Sequence, residues 1–181
     1  MNFVTFTKGQ PMSNEFKIIK PEELHQNPFS SFGNDWPLLT AGRIESYNGM
    51  TIGWGGFGVL WSKNVATVYV RPQRYTFQFL EREPYFGLSF LNSSYKDALN
   101  FFGSKSGRDV DKAKETGLTP KAFEDKTVYF EEADLVIVLK KIYADDFDKS
   151  KFISFDPQQI YPEGDYHRFY IGEIVGVLSK K

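Results

Sequence analysis

Apolar positions along the chain fall into two patterns, one of strand type and one of helix type. Val65-Ala66-Thr67-Val68-Tyr69-Val70 is a β-branched run suited to a buried strand. Leu38 to Ile44, Phe86 to Leu91, Thr127 to Phe130, Leu135 to Leu139 and Phe169 to Val177 read as further strands. The Leu135–Leu139 run lacks alternation, which predicts a strand covered on both faces. Helical spacing is clearest at Tyr95, Ala98, Leu99 and Phe102, behind a capping Ser93 or Ser94. A second helix is expected from Pro72 to Arg82, with Tyr75, Phe79 and Leu80 on one face. Shorter helices are expected at Lys20 to Leu24, at Asp109 to Glu115 closed by Gly117, and opening at Thr119-Pro120. Asn27 to Trp36 is aromatic and turn-rich, and residues 1–16 are so weakly patterned that they read as a surface arm. The sum is an α+β domain over residues 17–181, mainly antiparallel, most simply a small barrel with short helices packed outside it.

Composition narrows the chemistry. The chain has 181 residues and is 41% hydrophobic, enough for one sizeable core. Lys and Arg number 22 against 23 Asp and Glu, a balance that argues against a nucleic-acid partner. Cysteine is absent, which removes disulfides, thiolate nucleophiles and cysteine-rich zinc sites. Only His25 and His167 are available as imidazoles, far apart in sequence, so a histidine metal site is not expected. There is neither a signal-peptide pattern near Met1 nor an apolar run of membrane-spanning length, so the expectation is a cytoplasmic protein with no membrane partner.

The stretch Asn48-Gly49-Met50-Thr51-Ile52-Gly53-Trp54-Gly55-Gly56-Phe57-Gly58-Val59-Leu60-Trp61 concentrates glycines among aromatics. Glycine lets backbone approach a ligand closely, and with Trp54, Phe57 and Trp61 beside it this suits a slot for something flat and amphipathic. The same pattern also fits bulges and bends in barrel strands with no ligand. Arg71-Pro72-Gln73-Arg74-Tyr75-Thr76 places two arginines where a strand meets a helix N-terminus, an arrangement for an anion such as phosphate or for ordinary surface ion pairs. Ser106, Gly107, Arg108 and Lys112 lie in a polar segment that either closes over an anion or simply links two helices. Asp165 and His167 sit two apart and would share one face of a strand, as a proton-handling pair or as a hydrogen-bonded rim. No Walker loop, nucleophile elbow or dinucleotide fingerprint is present.

Taken in series, Ala41-Gly42, Asn48 to Trp61, Arg71 to Thr76, Ser106-Gly107-Arg108-Asp109 and Asp165-Tyr166-His167-Arg168 resemble the flavin reductase-like, FMN-binding split-barrel family, close to its flavoredoxin branch. The resemblance runs from about Pro21 to Ile174. It implies a Greek-key split β-barrel with short peripheral helices, forming a homodimer with FMN near the subunit interface. By likeness, Asn48, Met50, Thr51, Ile52, Gly53 and Trp54 would line the flavin ring and ribityl chain. Arg71, Gln73, Arg74 and Tyr75 would hold the phosphate end, with Ser106, Gly107, Arg108 and Lys112 closing over the cofactor and His167 at the rim. The implied activity is NAD(P)H-dependent reduction of flavin or a small acceptor by hydride transfer to flavin N5, with NADH or NADPH as donor. The alternative is an FMN electron carrier that serves a protein partner and has no nicotinamide site. One departure from the family pattern is Gly49 in place of a threonine, with Ile52 and Gly53 in place of small polar neighbours, which removes one hydroxyl contact to the flavin.

Overall fold

The computed structural model describes residues 15–181. The strands are β1 (Phe16–Ile18), β2 (Leu38–Arg43), β3 (Ser46–Thr51), β4 (Gly55–Leu60), β5 (Lys63–Val70), β6 (Tyr85–Phe90), β7 (Pro120–Phe123), β8 (Thr127–Phe130), β9 (Leu135–Asp146) and β10 (Arg168–Lys180). The α-helices are α1 (Pro28–Gly33), α2 (Tyr75–Arg82), α3 (Lys96–Ser104) and α4 (Lys112–Thr116). Eight strands form one sheet in the order β3-β2-β6-β9-β10-β5-β4, with β1 added along β10, and β7 pairs with β8 alone. Every pairing is antiparallel. This is the mainly antiparallel α+β architecture expected.

The core explains the pattern of the strands. Successive side chains of a strand point to opposite faces. Leu135, Ile137 and Leu139 therefore meet Leu39, Ala66, Val68, Phe86, Leu88 and Tyr170 in one apolar cluster. Val136 and Val138 of the same strand join Leu99, Phe102, Tyr129 and Phe130 in a second. That is why β9 shows no alternation: α3 and the β7–β8 hairpin cover its outer face. Gly172 sits at an irregularity in the β9–β10 register, where a Cβ would come within 2.7 Å of Phe86 and 2.8 Å of Leu139. Only glycine lets these strands close to that distance.

Several expectations change. Thr119-Pro120 opens no helix, because Pro120–Phe123 pairs with Thr127–Phe130 as a hairpin. Proline is compatible with that edge position, where it has no N–H to donate. Pro72 lies in a turn and α2 begins only at Tyr75. The 109–115 helix shortens to α4, capped by the Asp111 side chain on Lys114 N and closed by left-handed Gly117. The start at Lys20 is a single 3-10 turn, Pro21–Glu23. α1 emerges from the turn-rich stretch, with Asn27 as its cap and Pro28 in its first turn. Of the expected arm, residues 1–14 lie outside the described residues, and Phe16 is already a buried strand residue paired with Lys180. The β4–β5 hairpin turns through Trp61 and Ser62, both left-handed at φ 51° and 58°. Among the described residues no helix is long and apolar enough to cross a membrane.

Candidate functional site

Strand β3 splits its residues between two neighbours. Asn48, Met50 and Ile52 point one way, Gly49 and Thr51 the other. Asn48 is buried and its Nδ2 donates to Thr76 Oγ1 at 2.6 Å, which ties β3 to the first turn of α2. Thr51 Oγ1 donates to the Leu99 carbonyl at 2.5 Å, and a Cβ at Gly49 would stand 3.1 Å from the Phe102 ring. Met50 and Ile52 are only 7% and 3% exposed and lie in the main core. Their side chains therefore do not line a surface slot as expected; strand alternation sends them inward.

The segment before α2 and the segment after α3 meet over this strand. Arg74, the N-cap residue of α2, donates to the Gly103 carbonyl at 2.7 Å. Arg108 lies over the Tyr75 ring, 4.7 Å from its centroid, and reaches the Gln73 carbonyl at 3.4 Å. Ser106 Oγ accepts from Arg108 N at 3.2 Å and so forms the turn that presents this arginine. Gly107 packs so closely on Asn48 and Tyr75 that a Cβ would collide with the Asn48 side chain. Lys112 is 6% exposed, and its Nζ donates to the carbonyls of Gly49 at 2.9 Å and Phe102 at 3.0 Å.

Arg74, Arg108 and Lys112 thus converge, and among the described residues none of them forms an ion pair with a carboxylate. Burial holds the Arg74 guanidinium below its ordinary range. Burial, and then the charge of Arg74, brings the Lys112 ammonium down to about 8. Two partly desolvated cations beside an exposed Arg108, with no carboxylate counter-charge, are unfavourable by themselves and attract an anion.

The third group lies on the other flank of the 71–74 turn. Arg71 pairs with Asp165 and donates to the Ile160 carbonyl at 3.2 Å, while Gln73 Nε2 donates to the same Asp165 oxygen at 2.6 Å. Arg71 is therefore committed to a carboxylate, as in the surface-pair alternative, and Arg74 is not. Asp165 and His167 form no proton-handling pair. Their segment precedes β10, so the strand alternation assumed for them does not apply, and His167 Nδ1 instead meets Tyr161 Oη at 3.0 Å. The His167 ring packs against Trp54, 4.7 Å between centroids with the planes tilted by 42°. Burial, with the nearby charge of Arg71, brings the His167 imidazole down to about 4. Trp54 itself is 47% exposed and borders an apolar groove of about 570 Å³ shared with Phe29, Phe32, Phe57, Tyr69 and Phe147. Gly53, beside it, is exposed at the junction of β3 and β4.

The motifs Asn48–Trp54, Arg71–Thr76 and Ser106–Lys112 are thus brought together, with His167 adjacent through Trp54. Gly103, Phe102 and Tyr161 were not foreseen as part of this arrangement, and Thr76 lay in the expected motif without an assigned role. Thr76 is the second residue of α2, where a threonine reads as an ordinary helix start, and Gly103 acts through its carbonyl. Tyr161 is recognisable only once His167 is placed.

A family model described as flavin reductase like domain matches residues 29–181. No curated protein matches the sequence. The fold is similar to a flavoredoxin from Methanosarcina acetivorans, at 22% identity over 81% of this chain and 69% of that one, with a TM-score of 0.65. It is similar to an FMN-binding protein from Thermus thermophilus, at 23% identity over 85% and 77%, with a TM-score of 0.61. It is also similar to an FMN-binding domain of flavin reductases-like enzyme from Shewanella baltica, at 14% identity over 94% and 80%, with a TM-score of 0.65. The sheet order, the converging motifs and a family match over most of the chain lead to one assignment. The chain belongs to the flavin reductase-like family, with the split-barrel fold of its FMN-binding relatives.

Proposed function

We propose that the chain binds FMN and is an oxidoreductase that reduces flavin or a small acceptor with NADH or NADPH as hydride donor. The observation that carries this reading is the cluster of Arg74, Arg108 and Lys112, which has no carboxylate partner among the described residues. A phosphate ester supplies the missing negative charge and accepts charge-assisted hydrogen bonds from both arginines. The cradle fits in a second respect. Gly107 has no side chain where its neighbours Asn48 and Tyr75 leave no room for one, so backbone faces the cluster. When bound, FMN supplies a two-electron centre that accepts hydride at N5. The chain's own groups bind, orient and shield. Arg74, Arg108 and the Ser106 turn hold the phosphate end, while Thr51, Gly53 and Trp54 border the ring. The apolar groove at Trp54 excludes water and receives a flat nicotinamide or acceptor ring. His167, held neutral against Tyr161, steadies Trp54 and passes no proton. The Thermus thermophilus neighbour was crystallised with 1-cyclohex-2-enone bound, which supports a small acceptor.

A second reading, electron transfer to a protein partner, is favoured by the exposed apolar edge at Trp54, Val59 and Trp61 and by a neighbour that carries the name flavoredoxin. The same edge also fits a second copy of the chain, in a homodimer with FMN near the interface. The test is the visible spectrum of the purified protein before and after anaerobic addition of NADH or NADPH. A flavin spectrum that bleaches within seconds supports the reductase. One that persists favours the carrier, and a protein that stays colourless when given FMN overturns both.

A further inference from the structure

Lys112 is the most deeply placed charge of the cation cluster, and among the described residues it touches no side-chain acceptor. Two of its three N–H groups go to main-chain carbonyls, Gly49 O on β3 at 2.9 Å and Phe102 O near the end of α3 at 3.0 Å. Its ammonium also lies 5.4 Å from the Phe102 ring centroid. It follows directly on the loop that carries Ser106, Gly107 and Arg108, and Asp111 caps α4 at the same point. Among the described residues, the ammonium is thus the only side-chain donor that ties the end of this loop to both β3 and α3. A buried ammonium on carbonyls alone is a poor exchange for water, so its place here calls for a function beyond stability.

We propose that Lys112 is a positioning residue for the anion site, a buried latch that pins the 104–111 loop to β3 and α3 through the carbonyls of Gly49 and Phe102. The inference rests on the reading that Arg74 and Arg108 hold a phosphate ester. It differs from the direct cofactor contact that the sequence resemblance implies, because the Lys112 ammonium acts through Gly49 and Phe102.

The charged and titratable groups around Lys112 set the sign of the proton linkage. Arg74 faces it from the start of α2 and lowers its affinity for a proton. Glu45 and Tyr47 of the β2–β3 hairpin, with Arg108, Asp109 and Asp111 of the loop, line the same cleft. Tyr47 is pushed up to about 12 by burial and then by Asp111, so it stays neutral through the relevant range. With the ammonium at about 8 in the free protein, a bound dianion raises its proton affinity and proton uptake accompanies binding. Anion affinity then falls as pH rises above about 8. The ligand-free protein responds in the opposite sense. Its unfolded chain keeps the lysine proton up to the ordinary value of 10.5, so the latch makes stability rise with pH across that window.

The experiment has two arms. In the ligand-free protein, amide exchange of residues 104–112 is compared between wild type, Lys112→Met and Lys112→Arg. The latch predicts exchange about tenfold faster in Lys112→Met and near wild type in Lys112→Arg. Unchanged exchange in Lys112→Met overturns the latch, and this arm needs no FMN. In the second arm, FMN affinity is titrated by fluorescence from about pH 7 to about pH 9. Wild-type affinity is expected to fall by up to about tenfold per pH unit at the alkaline end, and Lys112→Arg, whose guanidinium keeps its charge, to stay flat. Equal slopes in the two proteins overturn the proton linkage. Absence of FMN binding in wild type overturns the functional reading, and the exchange arm still decides the latch. Where Lys112→Met fails to fold, Lys112→Gln takes its place in the exchange arm.

Discussion

Trp54 and His167 pack together at 4.7 Å with their planes tilted by 42°, and the imidazole that supports the tryptophan is itself held by Tyr161 Oη. A histidine in that position is a spacer, and its protonation would place a buried cation beside Arg71.

The pH dependence of stability follows. The unfolded chain takes up the His167 proton as pH falls through the ordinary 6.5, while the folded protein resists until about 4. Stability is therefore lost as pH falls between those values, by up to about 3 kcal/mol from this group. Urea unfolding at both ends of the window, in wild type and His167→Phe, checks it: the variant should lose less stability on acidification. Activity should show no titration near the ordinary histidine range.

Arg74→Ala should weaken FMN binding by about 1.5–3 kcal/mol, the size of a charge-assisted hydrogen bond lost. Arg71→Ala should weaken it less, since Arg71 is already paired with Asp165. Fluorescence titration of the two variants gives the comparison, and equal losses would remove the distinction between the arginines.

Thr76→Val leaves the buried Asn48 amide without its 2.6 Å partner and should cost about 1–3 kcal/mol in chemical denaturation. Adding Asn48→Leu should recover part of that loss, because the orphaned polar group is then gone.

Gly107→Ala should lower FMN affinity by about tenfold while moving the melting temperature little, since its Cβ would push the site loop off Asn48 without touching the core. A binding constant unchanged from wild type would remove the loop from the site.

Ser62→Gly should raise stability by about 1 kcal/mol. Its φ of 58° follows a left-handed Trp61, a turn geometry in which glycine is the unstrained residue. Thermal melts of the single variant suffice.

The strands were readable wherever burial alone set the pattern. Leu135 to Leu139 announced two covered faces, and the structure places odd positions in one cluster and even positions in the other. Errors came where one residue type serves two geometries. Pro120 starts helices and also tolerates a hairpin edge; Pro72 occupies a turn as readily as a first helical turn. In the candidate site, charge and glycine spacing picked out segments that the fold brings together, but side-chain direction was hidden. Met50 and Ile52 carry the same motif as Thr51, yet only alternation along β3 decides which of them faces the core. Arg71 and Arg74 look equivalent in sequence until Asp165, more than ninety residues later, is seen to claim the first of them.

The candidate site is assembled from residues 48–54, 71–76, 102–112 and 161–167, four stretches far apart in sequence that the fold brings together. Such non-local assembly is slow in folding and falls late on the pathway. A ligand seated there finds nothing to hold in the transition state, so it should leave the refolding rate almost unchanged and retard unfolding instead. Cofactor supply would then govern how long a folded molecule lasts, while the chain itself sets how fast it forms.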